Sequence, residues 1–261
     1  MTPGAALVTG AARRIGRAMA LDLAAQGWSV AVHYHRSAAE AEAVAAAARA
    51  MGVRSAALGA DLLDHAAIEG LVARAAIALD RPLTLLVNNA SIFERDTLAG
   101  ATRTTWDRHM DSNLWAPFRL TQDFAAQAPE AGRDDEGLPI ATGCVVNMID
   151  QRVLKPTPEF MTYTLAKMGL WAFTRTAAQA LAPRIRVNAI GPGPTVRGAR
   201  QSPEHFARQR AATLLGRGAG IADLAAGLRY ILSAPAMTGQ LLTLDGGQHL
   251  AWRTPDVIGV E

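Results

Sequence analysis

The chain has 261 residues, half of them hydrophobic and only 19% charged, which is material for one large core built on a helix-covered sheet. Its formal charge of +3 comes from Lys and Arg scattered along the chain, not from the clustered basic face that nucleic acid requires. Apolar runs such as Leu83-Thr84-Leu85-Leu86-Val87 fall far short of the roughly 20 residues a bilayer span needs, so neither nucleic acid nor membrane is an expected partner. Met1-Thr2-Pro3-Gly4 leads into a strand-like run with no basic segment before it and does not read as a signal peptide. The one cysteine, Cys144, has no partner for an internal disulfide and fits a reducing, cytoplasmic setting. Its apolar strand marks it as an inert core thiol.

In chain order, a strand is expected over Ala5–Thr9 and a helix over Arg14–Gln26. Strand Ser29–Tyr34, helix Ala38–Met51, strand Arg54–Leu58, helix His65–Leu79 and strand Leu83–Asn88 follow. A long helix over Thr104–Ala126 precedes a polar surface loop at Ala131–Pro139. Then come strand Gly143–Ile149, helix Phe160–Ala182, strand Ile185–Ile190, helices Pro203–Leu215 and Ile221–Ser233, and strand Leu241–Leu244. Near-continuous hydrophobicity in the strands indicates cover on both faces, as in a parallel sheet. The alternation predicts an α/β fold, a Rossmann-type doubly wound parallel sheet of about seven strands flanked by helices. Gly52 and Pro183 fall where helices should stop. With no linker and no repeat, residues 1–261 read as a single domain.

Loops after strand C-termini are where such folds bind ligands. Thr9-Gly10-Ala11-Ala12-Arg13-Arg14-Ile15-Gly16 joins the first strand to the first helix. Small residues there let the backbone approach a pyrophosphate, and the helix start offers unpaired N–H groups. The second strand ends His33-Tyr34-His35-Arg36-Ser37, with no carboxylate until Glu40. NAD-specific sites place an acidic residue at that strand end. Arg36 and Ser37 instead supply donors for a 2′-phosphate, with Arg13 as a second cation, so NADPH is expected over NADH.

Tyr163-Thr164-Leu165-Ala166-Lys167 lies on the helix after the fifth strand. The i, i+4 spacing puts phenol and ammonium on one face. A phenol ordinarily titrates near pH ~10, and a neighbouring Lys⁺ is expected to lower that value and ready Tyr163 for proton transfer. The six His are dispersed and lack Cys partners, so no metal site is expected.

Taken together, these motifs resemble the short-chain dehydrogenase/reductase family. The turn follows its T-G-x-x-x-G-x-G pattern, with Arg14 replacing the middle glycine. Asp61-Leu62 follows the third strand, and Asn88-Asn89-Ala90 ends the fourth, with Ser91 replacing the family glycine. The resemblance implies that Gly10, Ile15, Gly16, Tyr34, His35, Asp61, Leu62, Asn89 and Ala90 border the cofactor. It also implies that Lys167 holds the nicotinamide ribose, that Asn113 supports a water beside that lysine, and that Gly191-Pro192-Gly193 is the turn after the sixth strand. The family's serine, thirteen residues before the tyrosine, is here Asp150.

Several departures resemble one subgroup, the pteridine reductases: Gly10 to Gly16, His33 to Ser37, Ala90-Ser91-Ile92-Phe93, Asn147-Met148-Ile149-Asp150, and Tyr163 with Lys167. Leu244-Asp245-Gly246-Gly247-Gln248-His249-Leu250 is similar to the bacterial dihydromonapterin reductases, alternative dihydrofolate reductases. That resemblance implies a pterin or folate-like substrate stacked on Phe93, with Ser91 and Arg14 on cofactor phosphate or pterin. Asp150 and Tyr163 would deliver a proton to a ring nitrogen. Thr195 and Val196 would close over the nicotinamide, with a substrate flap around residues 194–215. A homotetramer on the long central helices is implied too, with Trp106, Trp115 and Trp171 at that interface or in the core. Two other readings stand: a carbonyl reductase that tolerates Asp150, and a non-catalytic NADPH-binding sensor, against which Tyr163, Lys167 and Asn113 speak.

Overall fold

The computed structural model describes residues 1–198, 201–254 and 258. The main sheet comprises β1 (Ala5–Val8), β2 (Ser29–Tyr34), β3 (Ser55–Gly59), β4 (Leu85–Asn88), β7 (Gly143–Met148), β8 (Ile185–Pro192) and β9 (Leu241–Leu244). Its order is β3-β2-β1-β4-β7-β8-β9, and every pairing is parallel. The chain therefore reverses direction across the sheet between β1 and β4, and the strand C-termini open a crevice there.

The strands alternate between two cores. Ala6 and Val8 of β1, Leu85 and Val87 of β4, and Cys144, Val146 and Met148 of β7 face one core. Ala5, Leu7, Leu86 and Val145 face the other. The first core is roofed by α1 (Arg14–Ala25), α2 (Ala38–Ala50) and α9 (Ile221–Ser233). The second is covered by α4 (Leu71–Leu79), α6 (Ala116–Gln127) and α7 (Met161–Leu181). Each fully buried Leu or Val in these layers contributes about 1.5–3 kcal/mol. Cys144 lies in this core, and burial pushes its thiol up to about 11, so it is inert.

Three elements depart from the sequence expectation. The helix expected over His65–Leu79 divides into α3 (His65–Ile68) and α4, because Gly70 between them takes φ 76, the left-handed region open to glycine. The helix expected over Thr104–Ala126 runs as α5 (Arg103–Met110) and α6 joined by a wide π turn, Asp111–Trp115. Pro117 has no N–H to offer the Asn113 carbonyl, and its ring crowds that oxygen, which favours the wider turn. The loop expected at Ala131–Pro139 holds a short antiparallel ribbon, β5 (Gly132–Arg133) with β6 (Pro139–Ile140).

Candidate active site

The first turn is built to approach an anion. Gly10 takes φ 61, and a Cβ on Gly16 would fall 2.4 Å from the Gly10 carbonyl oxygen, so the close approach requires glycine there. Helix α1 starts without any side-chain cap, which leaves its first N–H groups directed into the crevice. Thr9 knots the turn to the end of β4: its Oγ1 accepts from the N–H groups of Asn89 and Ala90, both at 2.9 Å. The Asn89 side chain returns a bond to the Thr9 carbonyl at 2.8 Å. Buried His33 is a staple from beneath, accepting from Gly10 N–H at Nδ1 (3.1 Å) and donating from Nε2 to the Ala60 carbonyl (3.1 Å). Burial pushes its pKa down to about 4, so the ring is neutral and holds this tautomer.

Beside the turn opens a cleft of about 390 Å³, lined among others by Gly10, His35, Arg36, Leu62, Ala90 and Ser91. His35 faces Asp61 at 3.3 Å, and Leu62 is buried in the cleft wall. An uncapped helix start, a turn that excludes side chains and an apolar-walled cleft with a cation at its rim fit a dinucleotide phosphate. Two expected members differ. Tyr34 does not line the cleft: it packs against the first core, and its hydroxyl oxygen would lie 3.1 Å from a Cβ on Gly59. Arg13 is already ion-paired with Glu40, the first carboxylate after the strand, so it offers less charge than its position suggests. Ser37 stands just before α2 with no hydroxyl bond to that helix.

At the chemical centre, the Tyr163 hydroxyl donates to Asp150 Oδ2 at 2.9 Å. Asp150 Oδ1 accepts from Arg152 N–H at 2.9 Å, which fixes the carboxylate's orientation. Burial pushes the Asp150 carboxyl up, against the Arg152 N–H and Tyr163 bonds. Burial, then the charge of Asp150, hold the Tyr163 phenol well above its ordinary value, with Ser91 and Arg152 opposing. This reverses the expectation that Lys167 would lower it. The ammonium donates to the Met148 carbonyl at 2.8 Å and lies 5.7 Å from the phenol ring centre, while a carboxylate touches the phenol oxygen itself. Burial brings Lys167 down to about 8, which leaves it largely cationic at neutral pH.

Asn113 sits on the π turn with both ends of its amide committed. Nδ2 donates to the Ile92 carbonyl (2.8 Å), and Oδ1 accepts from Ile92 N–H (2.9 Å). Its side chain thus anchors the loop after β4. That loop presents Phe93, stacked flat on Phe160 at 4.3 Å and edge-on to Tyr163 at 4.7 Å. Phe93 is 46% exposed, so it stands at the site's mouth and not in the core.

A buried polar chain that the sequence did not reveal supports this platform. Glu94 N–H donates to His109 Nε2 (3.2 Å), so the ring proton lies on Nδ1 and goes to Thr162 Oγ1 (2.7 Å). Thr162 Oγ1 donates in turn to Asp96 Oδ2. Asp96 also accepts from Thr162 N–H at 3.3 Å and thereby caps α7 from another segment. Burial pushes His109 down, consistent with a neutral ring accepting one bond and donating the other.

β8 runs on through Gly191 and Pro192, expected in the turn, which instead pair with Thr243 and Leu244, so the segment expected as a flap begins after the strand ends at Pro192. Gly193 packs on Asp245, where a Cβ would meet its side chain at 2.6 Å. Thr195 Oγ1 donates to the Gly193 carbonyl at 3.2 Å. Arg14, held at φ 54, reaches across to the Val196 carbonyl at 3.0 Å and so joins the turn to the flap. Arg210 on α8 (Pro203–Ala211) ties back to the carbonyls of Pro194 and Gly218. Ala199 and Arg200 lie outside the described residues. Among the described residues there is no group of three metal-ligating side chains, and no helix is long and apolar enough to cross a membrane.

A parallel sheet with this strand order, a glycine turn into α1 and a Tyr–Lys pair beside the crevice define an oxidoreductase domain of one family. The chain belongs to the short-chain dehydrogenase/reductase family, whose model for enoyl-(acyl carrier protein) reductase matches residues 10–249. Within it, the chain is similar to FolM alternative dihydrofolate reductase 1 from Brucella canis, solved with NADP: 45% identity, 98% of each chain and a TM-score of 0.90. Pteridine reductase 1 of Leishmania tarentolae is 33% identical over 75% of this chain and 78% of its own length. The 3-oxoacyl-[acyl-carrier-protein] reductase FabG of Staphylococcus aureus is 32% identical over 94% of this chain and 98% of its own.

Proposed function

We propose that this protein is an NADPH-dependent reductase of pteridines, acting on a ring C=N bond of a dihydropterin or dihydrofolate. The observation that carries the reading is the 2.9 Å hydrogen bond from the Tyr163 phenol to Asp150, at the position where the family has a serine. A serine hydroxyl orients a carbonyl oxygen, whereas a carboxyl whose pKa burial has raised can hold and pass a proton. A ring nitrogen needs that proton. Phe93 at the mouth offers a flat surface to a flat heterocycle, and the similarity to the Brucella FolM reductases supports the same substrate class.

The cleft beside Gly10 and Arg36 would hold NADPH, which supplies the hydride when bound. The proton shared by Tyr163 and Asp150 goes to the nitrogen adjacent to the carbon that gains hydride, and the pair is recharged from solvent. Lys167, cationic and buried, offsets the negative charge the pair gains at that moment. Arg14 and Ser91 border cofactor phosphate and substrate, and residues 194–215 act as the flap, with Arg14 and Arg210 as its ties. The protein is cytoplasmic in this reading and assembles as a tetramer through α5, α6 and α7, where Trp106 and Trp115 are 43% and 40% exposed.

Loss of NADPH absorbance should follow addition of dihydrobiopterin, dihydromonapterin or dihydrofolate, and Tyr163→Phe should slow it by about 10²-fold or more. The similarity to FabG gives the second reading, reduction of a 3-oxoacyl carbonyl. Silence with all three pterins alongside turnover of an acetoacetyl thioester would establish that reading and overturn the first.

A further inference from the structure

The aromatic platform carries a cation on its outer side. Phe160 lies parallel to Phe93 at 4.3 Å and 1°, and the Arg152 guanidinium carbon is 4.9 Å from the centre of the Phe160 ring. Phe93 occupies one face of Phe160, so Arg152 covers the other. This column is held against a backbone cost. Phe160 takes φ 56 and ψ 46, a left-handed conformation that a bulky L residue adopts only when its surroundings compel it. Its N–H donates to the Asp96 carbonyl at 2.8 Å, and its carbonyl accepts from Thr164 N–H at 2.9 Å. Both ends of the strained residue are therefore pinned.

Arg152 spends one nitrogen on the Thr157 hydroxyl at 2.6 Å. Arg95, Arg103 and Arg108 are paired with Glu159, Asp107 and Glu94. Among the described residues no ion pair engages Arg152. It is half-buried, and its charge reaches Asp150 and Tyr163. Its charge also reaches Glu159, whose own ion pair is with Arg95. A guanidinium fixed on an aromatic face beside the reacting groups, and in no salt bridge among the described residues, is arranged to receive a carboxylate from a ligand. Phe93, on the far side of Phe160 and exposed at the mouth, offers an aromatic surface to an aryl ring on the way to that carboxylate.

We propose that Arg152, mounted on Phe160, is a specificity determinant that binds the carboxylate of an anionic substrate tail. It would favour a pterin bearing an aryl amide and glutamate over pterins with neutral side chains. This rests on the pteridine reading above. The measurement is kcat/KM at saturating NADPH for dihydrofolate and dihydrobiopterin, in the wild type, Arg152→Gln and Arg152→Lys. The dihydrofolate-to-dihydrobiopterin ratio should fall about tenfold in Arg152→Gln, mainly through KM, and recover in part in Arg152→Lys. Taking the ratio removes any effect of the charge on Asp150 and Tyr163 that both substrates share. A ratio in Arg152→Gln within about twofold of the wild type overturns the proposal and leaves the pteridine reading standing. If the wild type reduces neither substrate, the pteridine reading falls. Calorimetric binding of p-aminobenzoyl-glutamate to the NADPH-loaded wild type and Arg152→Gln then decides the Arg152 site alone: weaker binding by the variant supports the proposal, and equal affinities overturn it.

Discussion

Lys167 places a measurable burden on the fold. The side chain is 2% exposed, and burial brings its amine from 10.5 down to about 8. Because the folded-state value is lowered, the folded chain binds fewer protons than the unfolded chain between those two pH values. This residue's contribution therefore makes stability rise as pH rises through the window. Below about pH 8 the full penalty of roughly 3 kcal/mol is present. Between about pH 7 and about pH 9.5, about 2 kcal/mol of it is released. Lys167→Met keeps a long unbranched side chain but removes the titrating group. Urea denaturation of both proteins across that range should show the wild type gaining about 2 kcal/mol on the variant. Cys144, at about 11, loses its proton later in the folded than in the unfolded chain and acts with the opposite sign, but it is common to both proteins and cancels. A difference that stays flat within about 0.5 kcal/mol would refute the buried-cation account.

Arg36→Ala should raise the KM for NADPH about tenfold, the loss of one partly exposed charge-assisted phosphate contact. The KM for NADH should change by less than about twofold, and equal losses would place the 2′-phosphate elsewhere. His109→Leu removes the His109 bonds to Glu94 N–H and to Thr162 Oγ1, which should cost about 2 kcal/mol in urea denaturation. It should also raise the KM for the pterin more than that for NADPH. His109→Gln, which can accept and donate at once, should recover much of both; if Leu and Gln behave alike, the hydrogen-bond account of the Phe93 loop is wrong.

The fold was legible because its strands are covered on both faces, so each reads as an unbroken apolar run whatever its neighbours. What interrupted the helices was not periodicity but single residues. Gly70 and Pro117 act through backbone geometry, and an apolar pattern does not weigh that. At the site, positions at strand ends were readable, and side-chain direction was not. His33 and Tyr34 are adjacent, yet one staples Gly10 from below and the other packs over Gly59. The i, i+4 spacing placed Lys167 on the face of Tyr163, but spacing carries no information about burial or about a carboxylate thirteen residues upstream. The chain from Asp96 through Thr162 to His109 joins residues 66 and 53 positions apart, so no local pattern announces it.

The departures from the family pattern change side-chain chemistry without changing the frame of the turn. The groups that would meet the cofactor's phosphates, Gly10, Gly16 and the uncapped start of α1, keep the family form. Arg14, Ser91 and Asp150 replace a glycine, a glycine and a serine, and each carries polar atoms toward the reacting centre or the flap. Arg14 does so at φ 54, where a residue other than glycine costs about 1–2 kcal/mol. That cost is offset in part by its bond to the Val196 carbonyl. Asp150 brings a carboxyl into a site where burial raises both its own pKa and that of the phenol it touches. In the proposed reading, both bring a polar group to the side of the site where the substrate would lie. Such substitutions persist where the ligand repays them, and a nitrogen heterocycle with several donors and acceptors repays a carboxyl and a guanidinium in a way that a simple ketone does not.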